Sequence, residues 1–300
     1  MKFDFGEVLT QARQITWRYK NLWLAGIVIS LVSLLLAPIS LALNPAFSSF
    51  AVPSEVNRQL PSIMLANVSA ILLAILSIPI YVIGISVPSL ATFQLEQGSE
   101  NVHFGQLLRG VLPYFWRISG IVLFVWGGMF LAVLILIVFV FAISVLTLGL
   151  GLLCIFPLLI LLILMAILGY ALMEQGVSAV LVDNLRVSSA LQRAWELVQK
   201  NLGVMTRMSL MSYVVAIAAI MIISLPMIPT SNLGSEPDVQ PFERFSGNMI
   251  LWVLAFLPFY VVIQGNLLTF LQSVWTLIYM RLTRPTTPSQ PLPGTVEATA

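Results

Sequence analysis

From Ile118 to Met173 the chain runs 56 residues without one charged side chain. Four more uncharged runs follow the same pattern, at Asn21–Ser54, Gln59–Leu95, Met208–Ser235 and Phe245–Met280. A bilayer core takes roughly 20 apolar residues per helix, so the longest run has room for two spans and a tight turn. The pattern predicts six transmembrane helices, near Leu22–Leu43, Met64–Leu90, Ser119–Val145, Leu148–Met173, Met205–Ile228 and Met249–Met280. Thr147-Leu148-Gly149-Leu150-Gly151 supplies the turn between the third and fourth, since Gly bends at low steric cost. The expected fold class is an all-α integral membrane protein, its six helices arranged as three hairpins, each preceded by a cytoplasmic amphipathic helix in the interface.

Orientation comes from lysine and arginine. The N-terminal segment (Lys2, Arg13, Arg18, Lys20), the second connection (Arg109, Arg117), the fourth (Arg186, Arg193, Lys200, Arg207) and the end of the chain (Arg281, Arg284) share one side, with only Arg58 and Arg244 on the other. The positive-inside rule places the rich side, and both termini, in the cytoplasm of a cell (inner) membrane protein. An odd number of spans would destroy this segregation. Twenty mixed residues, including Asp4 and Glu7, precede Asn21, which reads as a retained first helix rather than a cleaved signal. Asn44–Ile63 and Pro229–Asn248 read as outer loops. Residues 283–300, with four prolines, read as a disordered tail, leaving 1–282 as one membrane domain.

The cytoplasmic segments resemble one another. Phe5, Gly6, Leu9, Trp17 and Arg18 recur 99 positions later as Phe104, Gly105, Leu108, Trp116 and Arg117. Val187, Ser188, Leu191 and Lys200 fit the same frame more loosely. This predicts an internal repeat of three units, about 1–92, 93–175 and 176–282. In the third segment Ser189 and Gln192 suggest a capping box. Leu191, Ala194, Trp195, Val198 and Leu202 form an apolar stripe, with Leu9, Ala12, Thr16 and Tyr19 as the stripe of the first. Such helices suit the membrane interface. They either brace the hairpins or form a platform for a protein partner or anionic lipid, with Leu191, Arg193, Trp195 and Lys200 as the candidate docking residues.

The composition is 59% hydrophobic and 9% charged, too apolar for a separate soluble domain. Candidate chemistry is sparse. The single cysteine, Cys154, reads as a small buried hydrophobe, and the single histidine, His103, as a surface residue. No metal-ligand spacing or phosphate-binding loop occurs, so no metal, cofactor or nucleic-acid partner is expected. Buried Asp, Glu, His or Arg mark proton relays in membranes, and the six predicted spans contain none. The strongest polar feature is the last span, where Asn266, Thr269, Ser273 and Thr276 share one helical face. It is either helix–helix glue or a polar groove for a lipid headgroup or small solute. Pro79, Pro88, Pro157 and Pro258 are expected to bend their helices.

The segment Ala190-Leu191-Gln192-Arg193-Ala194-Trp195-Glu196-Leu197 and the ending Tyr279-Met280-Arg281 resemble the bacterial six-span family related to the glycerophosphoryl diester phosphodiesterase membrane domain. In that family a Tyr-x-x-Arg-like ending closes the sixth span. Here Arg281 follows Tyr279 by two residues. The resemblance implies a membrane context without the soluble catalytic barrel, for which this chain has no room. The expected function is therefore non-enzymatic: a membrane module or scaffold for a partner in envelope or lipid metabolism, in contact with membrane lipids. The alternative is a transporter or permease subunit for a lipid or small solute.

Overall fold

The computed structural model describes residues 5–42, 56–99, 102–147, 155–224 and 248–283, and among them every regular element is helical. The helices are α1 (Phe5–Arg18), α2 (Trp23–Ala42), α3 (Val56–Glu96), α4 (Phe104–Val111), α5 (Phe115–Leu146), α6 (Ile155–Asp183), α7 (Val187–Lys200), α8 (Leu202–Ser224) and α9 (Asn248–Thr283). Five stretches of the described residues are long and apolar enough to cross a membrane: Ile75–Glu96, Phe104–Val145, Pro157–Asp183, Leu202–Ala219 and Leu257–Thr283. A shorter apolar helical stretch covers Lys20–Val32. Along α5, Phe124, Phe130, Ile135, Phe139 and Phe141 are all exposed, a surface suited to lipid rather than water. The chain is an all-α protein of the multi-pass membrane class.

Several boundaries differ from the sequence expectation. α3 begins at Val56, so the second half of the expected outer loop Asn44–Ile63 is helical. α6 runs to Asp183, ten residues beyond the expected end of the fourth span at Met173, because its backbone bonds continue through the polar residues that end the uncharged run. Thr283, the expected start of the tail, closes α9 and donates to Tyr279 O at 2.8 Å. Most of the turn around Gly149, the second expected outer loop and the tail beyond Thr283 lie outside the described residues.

The chain divides into two compact units. One comprises Lys20–Ile85 and Ser212–Thr269. Within it α2 meets α9 at two glycines. A Cβ added to Gly26 would stand 2.6 Å from Gly265 Cα, and one added to Gly265 would stand 2.8 Å from Trp23 O. Backbones can approach this closely only where side chains are absent, which is how small residues bring helices together in lipid. The buried Thr269 hydroxyl, 3.2 Å from Leu22 O and 2.9 Å from Gly265 O, fastens the same crossing. Gly84 of α3 plays a similar part against the Ile29 side chain of α2.

The other unit comprises Met1–Tyr19, Ser86–Met211 and Phe270–Ala300, and so holds α1, α4, α5, α6 and α7 with the ends of α3 and α9 and the start of α8. The second amphipathic segment is short because Leu112–Tyr114, which carries Pro113, forms a 3₁₀ turn between α4 and α5. α7 begins at Val187 after Arg186, whose backbone is extended, with no side-chain cap bond. The expected capping box is therefore corrected: Ser189 lies inside the first turn, too far along to cap it. Asn184 adopts a left-handed conformation between α6 and α7 (φ 53°), held by Arg117 Nη1, which donates to its Oδ1 at 2.7 Å.

The buried faces of the amphipathic helices repeat. α1 buries Val8, Ala12, Ile15 and Thr16; α7 buries Ala190, Ala194, Leu197 and Val198, the same four positions 182 residues on. α4 buries Leu107 and Val111, which correspond to Val8 and Ala12 at the spacing of 99. The expected α7 stripe divides: Ala194 and Val198 are buried, Leu191 is half-buried, and Trp195, 49% exposed, and Leu202 face outward. Small alanines on the buried faces of α1 and α7 allow close packing against the rest of the protein.

The glycine crossing gives a direct test. Gly265→Leu should cost at least about 1–3 kcal/mol of stability, the usual penalty of overpacking. Gly127→Leu, where a Cβ meets nothing within 4 Å, should be neutral. Thermal unfolding of the two purified variants in detergent checks the difference.

Candidate functional site

The unit that holds the amphipathic helices also holds a buried polar chain. Ser89 on α3 donates to Gln272 Oε1 at 3.1 Å, and Gln272 Nε2 on α9 donates to Glu174 Oε1 on α6 at 3.0 Å. Glu174 and Gln272 are 1% and 2% exposed. Tyr170, one turn before Glu174, also hydrogen-bonds to its carboxyl. The Tyr170 ring meets Trp275 edge-on, with centroids 5.6 Å apart. One turn along, Thr92 on α3 donates to Ser273 on α9 at 3.0 Å. Three helices are thus tied through side chains at one level.

The expectation that no acidic residue lies within the spans is corrected. Glu174 belongs to the apolar stretch Pro157–Asp183 and is buried inside it. A charged residue ends an uncharged run by definition, so the criterion that located the span placed its acid just outside. Burying an ionisable group in hydrocarbon is costly, and such groups mark functional positions by default.

The polar face of the last span is placed as follows. Thr269, Ser273 and Thr276 are fully buried, and Asn266 is half-buried. Thr269 bonds to Leu22 O and Gly265 O, Thr276 donates to Gln272 O at 2.9 Å, and Ser273 accepts from Thr92. These contacts are those of helix packing. The sequence stripe missed Gln272, which lies about 40° beyond Thr276 around the helix. The amide of Gln175, the indole N–H of Trp275 and the hydroxyl of Ser209 are buried without a hydrogen-bond partner among the described residues.

A second set of contacts closes the ends of the helices. Arg281 pairs with Glu7 at 3.0 Å and donates to Gln11 at 3.1 Å; Gln11 in turn donates to Glu96. These bonds tie α9 and α3 to α1. Tyr279 donates to Asp183 and hydrogen-bonds with Arg193, which ties α9 to α6 and α7. Both residues of the Tyr279-Met280-Arg281 ending therefore hold an amphipathic helix. Among the four docking candidates, Arg193 is engaged in this contact and Leu191 is half-buried, while Trp195 and Lys200 face outward.

An apolar groove of about 360 Å³ lies between α5 and α6, lined by residues such as Ile137, Phe141, Leu159 and Leu162, with Ser144 as its one polar side chain among the described residues. It lacks the convergent polar groups of a solute site. Among the described residues no three His, Cys, Asp or Glu side chains come together as a metal site would need.

The two clamps should separate by hydrogen exchange. Arg281→Ala should raise exchange across Phe5–Arg18 and leave Val187–Lys200 unchanged. Tyr279→Phe should do the reverse, each by the order of 1 kcal/mol in local opening for a lost hydrogen bond. Exchange read by mass spectrometry in lipid discs decides it.

No known protein family, no curated protein and no solved structure matches this chain.

Proposed function

We propose that the chain is a six-span protein of the inner cell membrane with both termini in the cytoplasm, and that it works as a non-enzymatic module whose amphipathic helices dock a partner in envelope or lipid metabolism. In this reading α2 supplies the sixth span, and the units 1–92, 93–175 and 176–282 are copies of one amphipathic-helix-plus-hairpin design. The resemblance in layout to the six-span family agrees with it.

The observation that carries the reading is the shared orientation of α1 and α7. Both bury the same four positions, and each turns outward a tryptophan and at least one basic side chain among neutral polar ones. Trp17, Trp116 and Trp195 are 57%, 81% and 49% exposed. Arg13, Arg109, Arg186 and Lys200 are exposed, with no ion pair among the described residues. Tryptophan suits the headgroup level, and each nearby cation contributes about 1 kcal/mol toward an anionic surface. A platform of this composition is held at the membrane and still offers side chains to a partner.

A second reading, transport of a small polar solute, is favoured by Glu174 and its chain to Gln272 and Ser89. Glu174 lies in the apolar stretch Pro157–Asp183, and a buried acid in such a stretch is the kind of group that proton-linked transport uses.

Photo-crosslinking in cells tests the first reading. A photoreactive residue at Trp116 or Lys200 should capture one discrete protein, and one at Phe130 on the lipid-facing side should not. Capture of lipid alone from all three positions contradicts docking. Reporter fusions after Thr283 and within residues 44–55 should report opposite sides of the membrane.

A further inference from the structure

We propose that Glu174 is a proton-binding site within the membrane, and that Gln272 transmits its state from α6 to Ser89 on α3. The inference rests on α6 lying in the membrane and is independent of which functional reading holds.

The geometry restricts what Glu174 can do. Its carboxyl is buried, and its partners are neutral: Gln272 Nε2 from α9 at 3.0 Å and the hydroxyl of Tyr170 on its own helix. From α3 the nearest member of the chain is Ser89, reached through Gln272. Among the described residues Tyr170 is the one titratable group that acts on it, and no lysine, arginine or histidine does so from α3 or α9, or from α5 and α7, which also pack against α6. Charged groups further along α6 and α9 are used elsewhere. Asp183 is bound to Tyr279, and Arg281 to Glu7. Each stands nine residues along from Glu174 or Gln272, about 13 Å at 1.5 Å per residue.

A buried acid with no cation beside it is a poor structural device. A glutamine would accept the same bond from Gln272 without ever needing to ionise. What the carboxyl adds is the ability to gain and lose a proton. One carboxylate oxygen takes a proton from the aqueous phase, an O–H bond forms and the negative charge is removed; release reverses both. No other bond in the protein need break. Gln272 can donate to Oε1 in either state, but its bond to a carboxylate is charge-assisted and stronger. The same amide accepts from Ser89, and polarisation along a hydrogen-bond chain carries the change across three helices. Trp275, edge-on to Tyr170, is a built-in optical reporter of the site.

The test uses the full chain reconstituted in phosphatidylglycerol–phosphatidylcholine vesicles. Infrared difference spectra between acidic and alkaline buffer should contain a protonated-carboxyl stretch that shifts in heavy water. Glu174→Gln should remove that band, and Glu174→Asp should keep a band with a displaced midpoint. Gln272→Leu should move the midpoint by about tenfold in proton concentration, the scale of one lost charge-assisted bond. The pH-dependent part of the tryptophan fluorescence should vanish in both Trp275→Phe and Glu174→Gln. Wild-type and Glu174→Gln spectra that superimpose in the carboxyl region overturn the proposal. A band that responds to sodium at constant pH and not to pH also overturns it. Should Glu174→Gln fail to fold, a Glu174→Asp midpoint identical to wild type does the same. Membrane insertion, read separately by the reporter fusions, is untouched by any of these outcomes.

Discussion

A hydrocarbon solvent supplies no hydrogen-bond partner, so a polar side chain of α3, α6 or α9 that is bonded at all must be bonded inside the protein. Each helix satisfies its own backbone. The side chains then decide which helices meet. Ser89, Gln272 and Glu174 bond in sequence across three helices, and Thr92 and Ser273 repeat the link between two of them. These bonds set register as well as proximity, because a shift by one residue around any helix would carry its polar group about 100° away. The hydrophobic effect, which organises soluble cores, has little to choose between one lipid-facing leucine and another.

The amphipathic helices follow from the same constraint at its edge. They carry enough charge to need water and enough apolar surface to need the protein. Val8, Ala12, Ile15 and Thr16 on α1, and their counterparts on α7, turn inward. Arg281 and Tyr279 then fasten α1 and α7 from the end of α9. Acids that would otherwise offset the basic surface, such as Glu7 and Asp183, are taken up in these fastenings. The outward remainder keeps Arg13, Trp17, Trp195 and Lys200 among neutral polar side chains.

The helices were legible because lipid makes uncharged length a direct physical requirement. The amphipathic segments were legible because Phe5, Gly6 and Trp17 recur at Phe104, Gly105 and Trp116. Glu174 was not legible as a buried group, since the rule that ends a span at the first charge placed it one residue past Met173. Gln272 was passed over because the stripe was drawn from Asn266, and Gln272 sits at its margin. The α7 stripe did not separate its protein-facing from its outward members because an interfacial helix has two apolar surroundings, protein and lipid, which hydrophobicity alone does not distinguish. On α7, Ala190, Ala194, Leu197 and Val198 go inward and Trp195 outward. The partnership of Arg281 with Glu7 spans nearly the whole chain, and no local pattern encodes it.

The claim that polar side chains, rather than apolar packing alone, hold these three helices in register is tested most directly by a double-mutant cycle on Glu174 and Gln272. Glu174→Leu, Gln272→Leu and the double variant would be unfolded reversibly in mixed micelles. The account predicts that the double variant is less destabilised than the sum of the two singles, with coupling near or above about 0.6 kcal/mol, because each single change strands a buried polar partner. Strict additivity would contradict it and reduce the chain from Ser89 to Glu174 to a passenger of apolar packing.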